Sequence, residues 1–149
     1  MTGPNTQIEQ QLTILLRRVQ SIHLSTASGE VDLDRSAYGI MCRLADEGPQ
    51  RLGSLAQAFG LDPSTITRQV QALEQAGLAQ RATDAADRRA SILDLSPEGR
   101  EVLAQTREHR RARLNAALYD WTTKETQEFG RLLEKFNASV EALNEKVTS

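Results

Sequence analysis

The sequence predicts a mainly α-helical fold with one small β-hairpin, and three features of the chain support this. Aromatic residues make up only 4% of the 149 residues, so a core must consist largely of Leu, Ile, Val and Ala, which favours helices over sheets. Apolar residues recur at steps of three and four along most of the chain, which is the period of an amphipathic helix. Between residues 78 and 95, alternating apolar residues flank a short charged segment, which is typical of a hairpin.

Length and composition are those of one globular domain, or of one compact domain with an extension. The chain is 39% apolar and 26% charged, and its single cysteine excludes an internal disulfide framework. No secretory signal or long apolar run is visible, so we expect a cytoplasmic protein with no membrane partner. The net charge of −2 gives no global signal for nucleic-acid binding, so any such binding must depend on the local placement of arginines.

The first predicted helix runs from Gln7 to about Ala27. Its apolar residues are spaced four, three, four and three apart, as in the seam of a coiled coil. These residues are Ile8, Leu12, Leu15, Val19 and Ile22. The dipeptide Ser28-Gly29 is expected to end the helix.

Two shorter helices follow. Asp34 is the predicted N-cap of the second helix, which continues through Asp46 and ends at the Gly-Pro pair that comes next. The third helix covers Leu52–Phe59 and ends at Gly60.

The segment from Asp62 to Gly77 predicts a fourth helix with clear limits. Asp62 is a suitable N-cap, Pro63 suits the first helical position, and Gly77 suits the C′ position. One stripe of the helix is apolar and carries Ile66, Val70 and Leu73. The opposite face is polar and carries Ser64, Arg68, Gln71 and Gln75. Its spacing from the third helix is that of a helix-turn-helix, although the helix taken alone is also typical of a solvated surface helix.

The alternating stretch after Gly77 predicts two strands with an exposed tip at residues 84–89. Because two strands alone are marginally stable, the hairpin must pack on the preceding helices, which makes the fold a winged helix-turn-helix. Ser96 and Pro97 then begin a fifth helix. Thr122 and Glu125 have the spacing of a capping box and begin a sixth helix, whose apolar seam continues to the C-terminus.

The long terminal helices carry apolar seams that the small middle lobe does not need. They most simply pack on each other and on a second copy, so we expect a homodimer. The expected organisation is an N-terminal dimerisation helix in residues 1–33, a winged helix-turn-helix DNA-binding lobe in residues 34–96, and C-terminal dimerisation helices in residues 97–149.

Two short motifs in and after the hairpin carry a family resemblance. An acidic-then-DRR wing pattern is matched by Asp84, Asp87, Arg88 and Arg89. The exit pattern L-x-L-[ST]-x-x-G-R is matched by Leu93, Leu95, Ser96, Gly99 and Arg100. With these motifs, residues 52–101 resemble the MarR family of bacterial transcriptional regulators, and the order of the helices matches over nearly the whole chain.

The resemblance implies an obligate dimer whose terminal helices form the interface. It implies that the fourth helix enters the major groove of double-stranded DNA and that the wing tip enters the adjacent minor groove. It also implies repression of nearby promoters from a pseudo-palindromic operator, often relieved by a small-molecule effector.

Seven residues of the helix-turn-helix are candidates for contacts with DNA. The start of the second helix of such a motif faces the groove, so the candidates for base edges are Ser64, Thr65, Arg68, Gln69 and Gln71. Thr67 and Ser54 suit phosphates better, and phosphate contacts position a protein without reading sequence. Arg68 has the donors for a bidentate pair with guanine. For Ser64 and Thr65, capping of the helix alone is the alternative.

Arg88 at the wing tip is the strongest candidate for the minor groove, because a narrow groove attracts an inserted guanidinium. Arg89 is the second candidate, with the alternative of facing back onto the protein. Asp84 and Asp87 are expected to hold the wing in shape, as the family pattern implies, with Arg81 or Arg89 as their partner. Without the flanking motifs, a solvated charged turn would be the default interpretation.

An effector crevice is the third kind of candidate site. His23, Tyr38 and Met41 are the residues that could line it, with plain core packing as the alternative. The lone histidines His23 and His109 have no neighbouring residue at ligand spacing, so we expect no metal and no cofactor. Cys42 is expected to be a small buried apolar residue.

The chain has no organised catalytic motif, and we expect no enzyme activity. The alternative to DNA binding is a winged-helix module that binds only proteins. Between Arg51 and Arg100, six arginines stand against six acidic residues, and the resulting zero formal charge favours that alternative. The exposed hydroxyls of the fourth helix and Arg88 favour DNA.

Overall fold

The computed structural model describes residues 3–18, 21–27 and 29–148. Six helices lie in this part of the chain: α1 (Pro4–Arg18), α2 (Arg35–Glu47), α3 (Leu52–Phe59), α4 (Pro63–Gln75), α5 (Pro97–Ala117) and α6 (Thr123–Thr148). Five strands lie there as well: β1 (Ser21–Thr26), β2 (Gly29–Asp34), β3 (Gln50–Arg51), β4 (Ala79–Thr83) and β5 (Ser91–Leu95). The fold is therefore mainly α-helical, as predicted, and it has two small antiparallel sheets where one hairpin was predicted.

The first helix is shorter than predicted. α1 ends at Arg18, and β1 and β2 form an antiparallel hairpin where the helix was expected to continue to about Ala27. The apolar residues of this stretch alternate with polar ones, so that Ile22 and Leu24 are buried while His23 between them is exposed. A period of two is typical of a strand. The sequence did not reveal it because the same segment also fits the spacing of apolar residues on one face of a helix. Val19 and Ser28, which belonged to the same prediction, lie outside the described residues.

The segment 1–33 is consequently not one dimerisation helix. In the described part it contains α1, β1 and most of β2. The hairpin register places Ile22 opposite Leu33 and Leu24 opposite Val31. These residues pack in or against the hydrophobic core, so the hairpin contributes to the core of the lobe.

Helix α2 confirms the predicted second helix to within one residue, but its start differs in detail. Asp34 occupies the N-cap position without a capping hydrogen bond from its side chain. Its Oδ2 instead accepts a hydrogen bond from Nε2 of Gln69 at 2.9 Å. The prediction that the Asp34 side chain caps this helix is therefore wrong, because a donor from α4 takes the carboxylate.

The helix-turn-helix has the predicted limits. α3 covers the predicted residues, and α4 begins at Pro63 with Asp62 as N-cap. Gly77 has φ of 75°, and the N–H groups of Gly77 and Leu78 donate to the carbonyls of Glu74 and Leu73. This is the Schellman motif, in which the residue after the C-cap has a left-handed backbone conformation. Glycine adopts that conformation without steric cost because it has no Cβ.

The wing is a three-stranded sheet with the order β3-β5-β4, where two strands were predicted. The additional strand β3 pairs Arg51 with Ile92 of the central strand. A two-residue polar strand has no alternation that a sequence pattern could reveal. The buried residues Leu93 and Leu95 of β5 and Leu78 before β4 attach this sheet to the helices.

The predicted caps of the last two helices are confirmed. Ser96 Oγ accepts a hydrogen bond from the N–H of Gly99 at 2.9 Å at the start of α5. At the start of α6, Thr122 and Glu125 exchange the two hydrogen bonds of a capping box, at 3.0 and 3.1 Å.

The chain divides into two compact units, Met1–Thr106 and Arg107–Ser149. The first unit holds the core, whose largest fully buried side chains include Leu24, Ile40, Met41, Leu44, Leu55, Ile66, Leu73, Leu78, Leu93 and Leu95. In contrast, α1 buries no residue, and the apolar side chains of α6 are exposed. No helix in the described ranges is both long enough and apolar enough to cross a membrane.

Candidate nucleic-acid interface

The polar face of α4 is exposed, as predicted. Ser64, Thr67, Arg68 and Gln71 are all accessible to solvent, while Ile66, Val70 and Leu73 are buried on the opposite side. The helix thus presents one guanidinium, hydroxyls and amides on a single surface, and these are the groups that bond base edges and phosphates.

The hydroxyl groups at the start of α4 have local partners. Ser64 Oγ donates to Oδ1 of Asp62 at 2.8 Å, and the N–H of Thr65 donates to the same oxygen at 2.7 Å. The bond from Thr65 and then the bond from Ser64 hold the pKa of Asp62 below its ordinary value. Thr67 Oγ1 donates to the carbonyl of Pro63 at 2.8 Å. Capping is therefore observed for Ser64 and Thr65, and base contact by these residues stays a prediction.

Gln69 does not belong to the exposed face. Its side chain is buried, with 6% of the residue exposed, and its amide is bonded to Asp34 at the start of α2. This bond joins α2 to α4 and satisfies a polar group inside the lobe. The prediction that Gln69 lies on the face that contacts base edges is therefore wrong.

The wing tip is closed by backbone hydrogen bonds. The N–H of Asp84 donates to the carbonyl of Ala90, and the N–H of Ala90 donates to the carbonyl of Asp87, both at 3.0 Å. Oδ1 of Asp87 accepts from the N–H of Arg89 at 3.0 Å. The side chains of Arg88 and Arg89 are exposed on this closed loop.

Asp84 is buried, and its charge partner is not the one predicted. The partner is Arg51 on β3, whose Nε lies 2.8 Å from Oδ2 of Asp84. Arg81, which was one predicted partner, is paired with Glu74 of α4 at 2.9 Å. The N–H of Ala86 and then the Arg51 guanidinium hold the pKa of Asp84 below its ordinary value. Arg51 lies 33 positions upstream, and only the pairing of β3 with β5 brings it to the wing.

Ion pairing divides the six arginines between residues 51 and 100 into two groups. Arg51, Arg81 and Arg100 are paired with Asp84, Glu74 and Asp94. Within the described ranges, Arg68, Arg88 and Arg89 form no ion pair.

Each of the six acidic residues of this segment accepts a hydrogen bond from the protein itself. These residues are Asp62, Glu74, Asp84, Asp87, Asp94 and Glu98. Positive and negative groups of this segment therefore differ in their contacts. Each carboxylate accepts a hydrogen bond from the protein, whereas the guanidinium groups of Arg68, Arg88 and Arg89 are exposed and form no ion pair in the described ranges.

Ser54 lies in an open groove between the start of α3 and the wing. The side chains that line it are mostly polar and include Arg51, Ser54, Gln57, Arg81 and Ser91. Ser54 is exposed there, as a phosphate contact requires.

The three residues proposed for an effector crevice do not share a surface. His23 is exposed on β1, where its ring lies 2.8 Å from Asp32 and 3.5 Å from Glu30. Met41 is fully buried and Tyr38 nearly so, both in the core of the lobe. The alternative of core packing holds for Tyr38 and Met41, and His23 is a surface residue.

In the described part of the chain, no group of three His, Cys, Asp or Glu residues is arranged to hold a metal ion. Cys42 is half-buried against the core rather than fully buried as expected.

Comparisons with known proteins agree with this arrangement. The family model described as MarR family matches residues 33–91. The uncharacterised HTH-type transcriptional regulator YxaD of Bacillus subtilis is 35% identical over 136 residues, which cover 91% of this chain and 94% of that protein. The HTH-type transcriptional repressor NicR of Pseudomonas putida is 28% identical over 99 residues, covering 64% of this chain and 63% of NicR.

A solved structure shows the same fold. The crystal structure of the transcriptional regulator BldR from Sulfolobus solfataricus has a TM-score of 0.60 at 31% identity, covering 74% of this chain and 75% of that chain. The family match spans the helix-turn-helix and the wing tip, where the exposed arginines lie. Together with a relative that is 35% identical over nearly the full length of both proteins, it shows that this chain belongs to the MarR family of DNA-binding transcriptional regulators.

Proposed function

We propose that the protein is a sequence-specific repressor that binds a pseudo-palindromic operator as a homodimer and responds to a small-molecule effector. One observation carries this proposal: of the six arginines between residues 51 and 100, Arg68 on α4 and Arg88 and Arg89 on the wing form no ion pair in the described ranges. Binding then rests on a few exposed guanidinium groups rather than on a broad basic surface. A chromosomal operator also requires the protein to be cytoplasmic.

Each exposed element has its own role in the proposal. Arg68 forms a bidentate pair with a guanine in the major groove, beside Gln71. Ser54 and Thr67 bond phosphates and fix the orientation of the lobe. Arg88, with Arg89 beside it, enters the adjacent minor groove, where narrow A·T-rich segments concentrate negative potential.

The dimer in the proposal forms through apolar seams that the single chain leaves open. On α1, Ile8, Leu15 and Leu16 are each about half exposed. On α6, the exposed apolar residues are Phe129, Leu132, Leu133, Phe136, Val140, Leu143 and Val147. Contiguous apolar surface of this kind marks an interaction site, and a second copy with the same seams is the simplest partner. Two joined lobes would then read half-sites about 34–36 Å apart, one turn of duplex.

Repression and effector response rest on the relatives. NicR is described as a repressor, and the family resemblance implies that a small molecule relieves repression. An effector that binds the free protein more tightly than the DNA-bound form would shift the equilibrium away from the operator.

Equilibrium binding to DNA tests the proposal. Fluorescence anisotropy with a labelled duplex from the region upstream of the protein's own gene, and with a scrambled duplex of equal composition, should show tighter binding to the first. The association constant for both duplexes should fall as the salt concentration rises, because phosphate contacts release counterions from DNA. Equal affinity for the two duplexes would contradict the proposed sequence specificity. An apolar dimer with no salt-sensitive binding to either would favour the protein-interaction module instead.

A further inference from the structure

We propose that Arg51 is a positioning residue for the wing: it holds Asp84, and through Asp84 it holds the tip that carries Arg88 in the shape that enters the minor groove. The inference rests on the DNA-binding function proposed above. It assigns to Arg51 a role that neither the helix-turn-helix nor the wing motif indicates.

The Arg51–Asp84 pair has a specific geometry. Nε of Arg51 donates a hydrogen bond to Oδ2 of Asp84 at 2.8 Å, and Nη2 of the same guanidinium lies 2.5 Å from that oxygen. Oδ1, the other carboxylate oxygen of Asp84, accepts the N–H of Ala86 at 2.9 Å. The carboxylate therefore connects two parts of the lobe, with one oxygen on the guanidinium and the other on the wing tip.

The Arg51 side of this connection is fixed by the sheet. Arg51 belongs to β3, which pairs with the central strand β5 of the wing sheet at Ile92. Asp84 is 8% exposed and lies where β4 ends and the tip begins. The guanidinium thus holds Oδ2 of this buried carboxylate through a charge-assisted hydrogen bond, which is stronger than a bond between neutral groups.

The connection controls the conformation of the wing tip. Ala86 lies two residues before Arg88, and the N–H of Asp84 closes the tip on the carbonyl of Ala90. Without Arg51, Asp84 would be a buried carboxylate without its counter-charge, which is unfavourable. We expect the Asp84 carboxylate to turn toward water and to lose its hydrogen bond from the Ala86 N–H. Arg88 would then lie on a more mobile loop.

A direct phosphate contact by Arg51 is the competing role, since Arg51 also lines the groove that contains Ser54. The two roles predict opposite effects for Asp84→Asn. If Arg51 binds phosphate, removing the carboxylate removes a negative charge and releases Arg51, so DNA binding becomes tighter. If Arg51 positions the wing, the same substitution breaks the connection and DNA binding becomes weaker.

The experiment measures binding of the full chain to the duplex most enriched by in vitro selection with the wild-type protein. The variants are R51Q, D84N, R51Q/D84N, R88A and R51Q/R88A, and R100Q is the matched control because Arg100 is paired with Asp94 away from the tip. We expect R51Q and D84N each to weaken binding about fivefold, with no further loss in their double variant. In the R88A background, R51Q should cause no further loss of DNA affinity. R100Q should bind DNA as tightly as the wild type does.

The salt dependence separates positioning from contact. R88A should lower the slope of log K against log salt by about one, while R51Q should leave it unchanged. Tighter binding by D84N, a lower slope for R51Q, or full additivity of R51Q with R88A would overturn the inference. R51K keeps the charge without the planar donors, and it should recover only part of the loss.

A measurement without DNA keeps the inference separate from the proposed function. Hydrogen exchange at the Ala86 amide should be faster in R51Q and D84N than in the wild type and unchanged in R100Q. If the wild type binds no duplex but the Ala86 amide responds in this way, the proposed function has failed and the positioning role stands. If the Ala86 amide does not respond, the inference is overturned whatever the DNA binding shows.

Discussion

Gly99 and Leu78 are packed backbone against backbone, so that a Cβ on Gly99 would overlap the carbonyl oxygen of Leu78. The same carbonyl accepts a hydrogen bond from the N–H of Ser96 at 3.0 Å. Ser96 Oγ donates to the carbonyl of Gly77 at 2.6 Å and accepts from the N–H of Gly99 at 2.9 Å. The first turn of α5 is thereby fixed to the end of the helix-turn-helix, and residue 99 must be glycine for this approach.

Gly99→Ala should destabilise the protein by about 2 kcal/mol or more, because the added methyl group meets backbone that cannot move aside. Urea denaturation at fixed protein concentration, followed by circular dichroism, measures the change. Gly53→Ala is the control, since Gly53 is helical with nothing within 4 Å of an added Cβ. It should be neutral or stabilising by up to about 1 kcal/mol. Equal stability of both variants would show that the Gly99 contact is not tight.

Local signals in the sequence located most of the fold. Asp62, Gly77, Ser96 and Thr122 act at helix ends through partners a few residues away or in the adjoining segment, so their roles followed from spacing. The limits of α3 and α4 and the capping of α5 and α6 were predictable for this reason.

The failures share a different cause. The partners of Asp84 and Gln69 are 33 and 35 positions away, and β3 is too short to show a pattern. The hairpin β1–β2 was missed because Ile22 fits both a seam of period 3.5 and an alternation of period two. Which period a segment follows depends on what it packs against, and a single sequence does not show this.

His23 gives the hairpin a pH dependence with a definite sign. Its hydrogen bond to Asp32, and secondarily the one to Glu30, raise the pKa of His23 above the ordinary value of 6.5. A raised pKa means that the stabilisation is complete below pH 6.5 and is lost as the pH rises through the raised value. An NMR titration of the His23 ring should show a higher pKa in the wild type than in Asp32→Asn. If the two proteins titrate together, the bond to Asp32 does not persist in solution.

Phe136→Asp should disrupt the proposed dimer. A carboxylate placed in the apolar seam of α6 would cost about 3–5 kcal/mol if the seam is buried by a second copy, which corresponds to about 100-fold or more in the dimer dissociation constant. Ala138→Asp is the matched control, because it adds the same charge on the opposite face of α6. Light scattering coupled to size-exclusion chromatography should find Phe136→Asp monomeric and Ala138→Asp dimeric at the same concentration. Two variants of equal mass would exclude α6 as the interface.

The reading of guanine by Arg68 is the most direct test of the DNA-binding function. In vitro selection with the wild type identifies the guanines of each half-site, and each guanine is then replaced in turn in the binding assay. We expect one replacement per half-site to weaken DNA binding by the wild type about 5- to 150-fold, equivalent to about 1–3 kcal/mol. The same replacement should leave DNA binding by Arg68→Ala nearly unchanged. If Arg68→Ala discriminates every guanine as the wild type does, or if the wild type binds all duplexes alike, the account is contradicted.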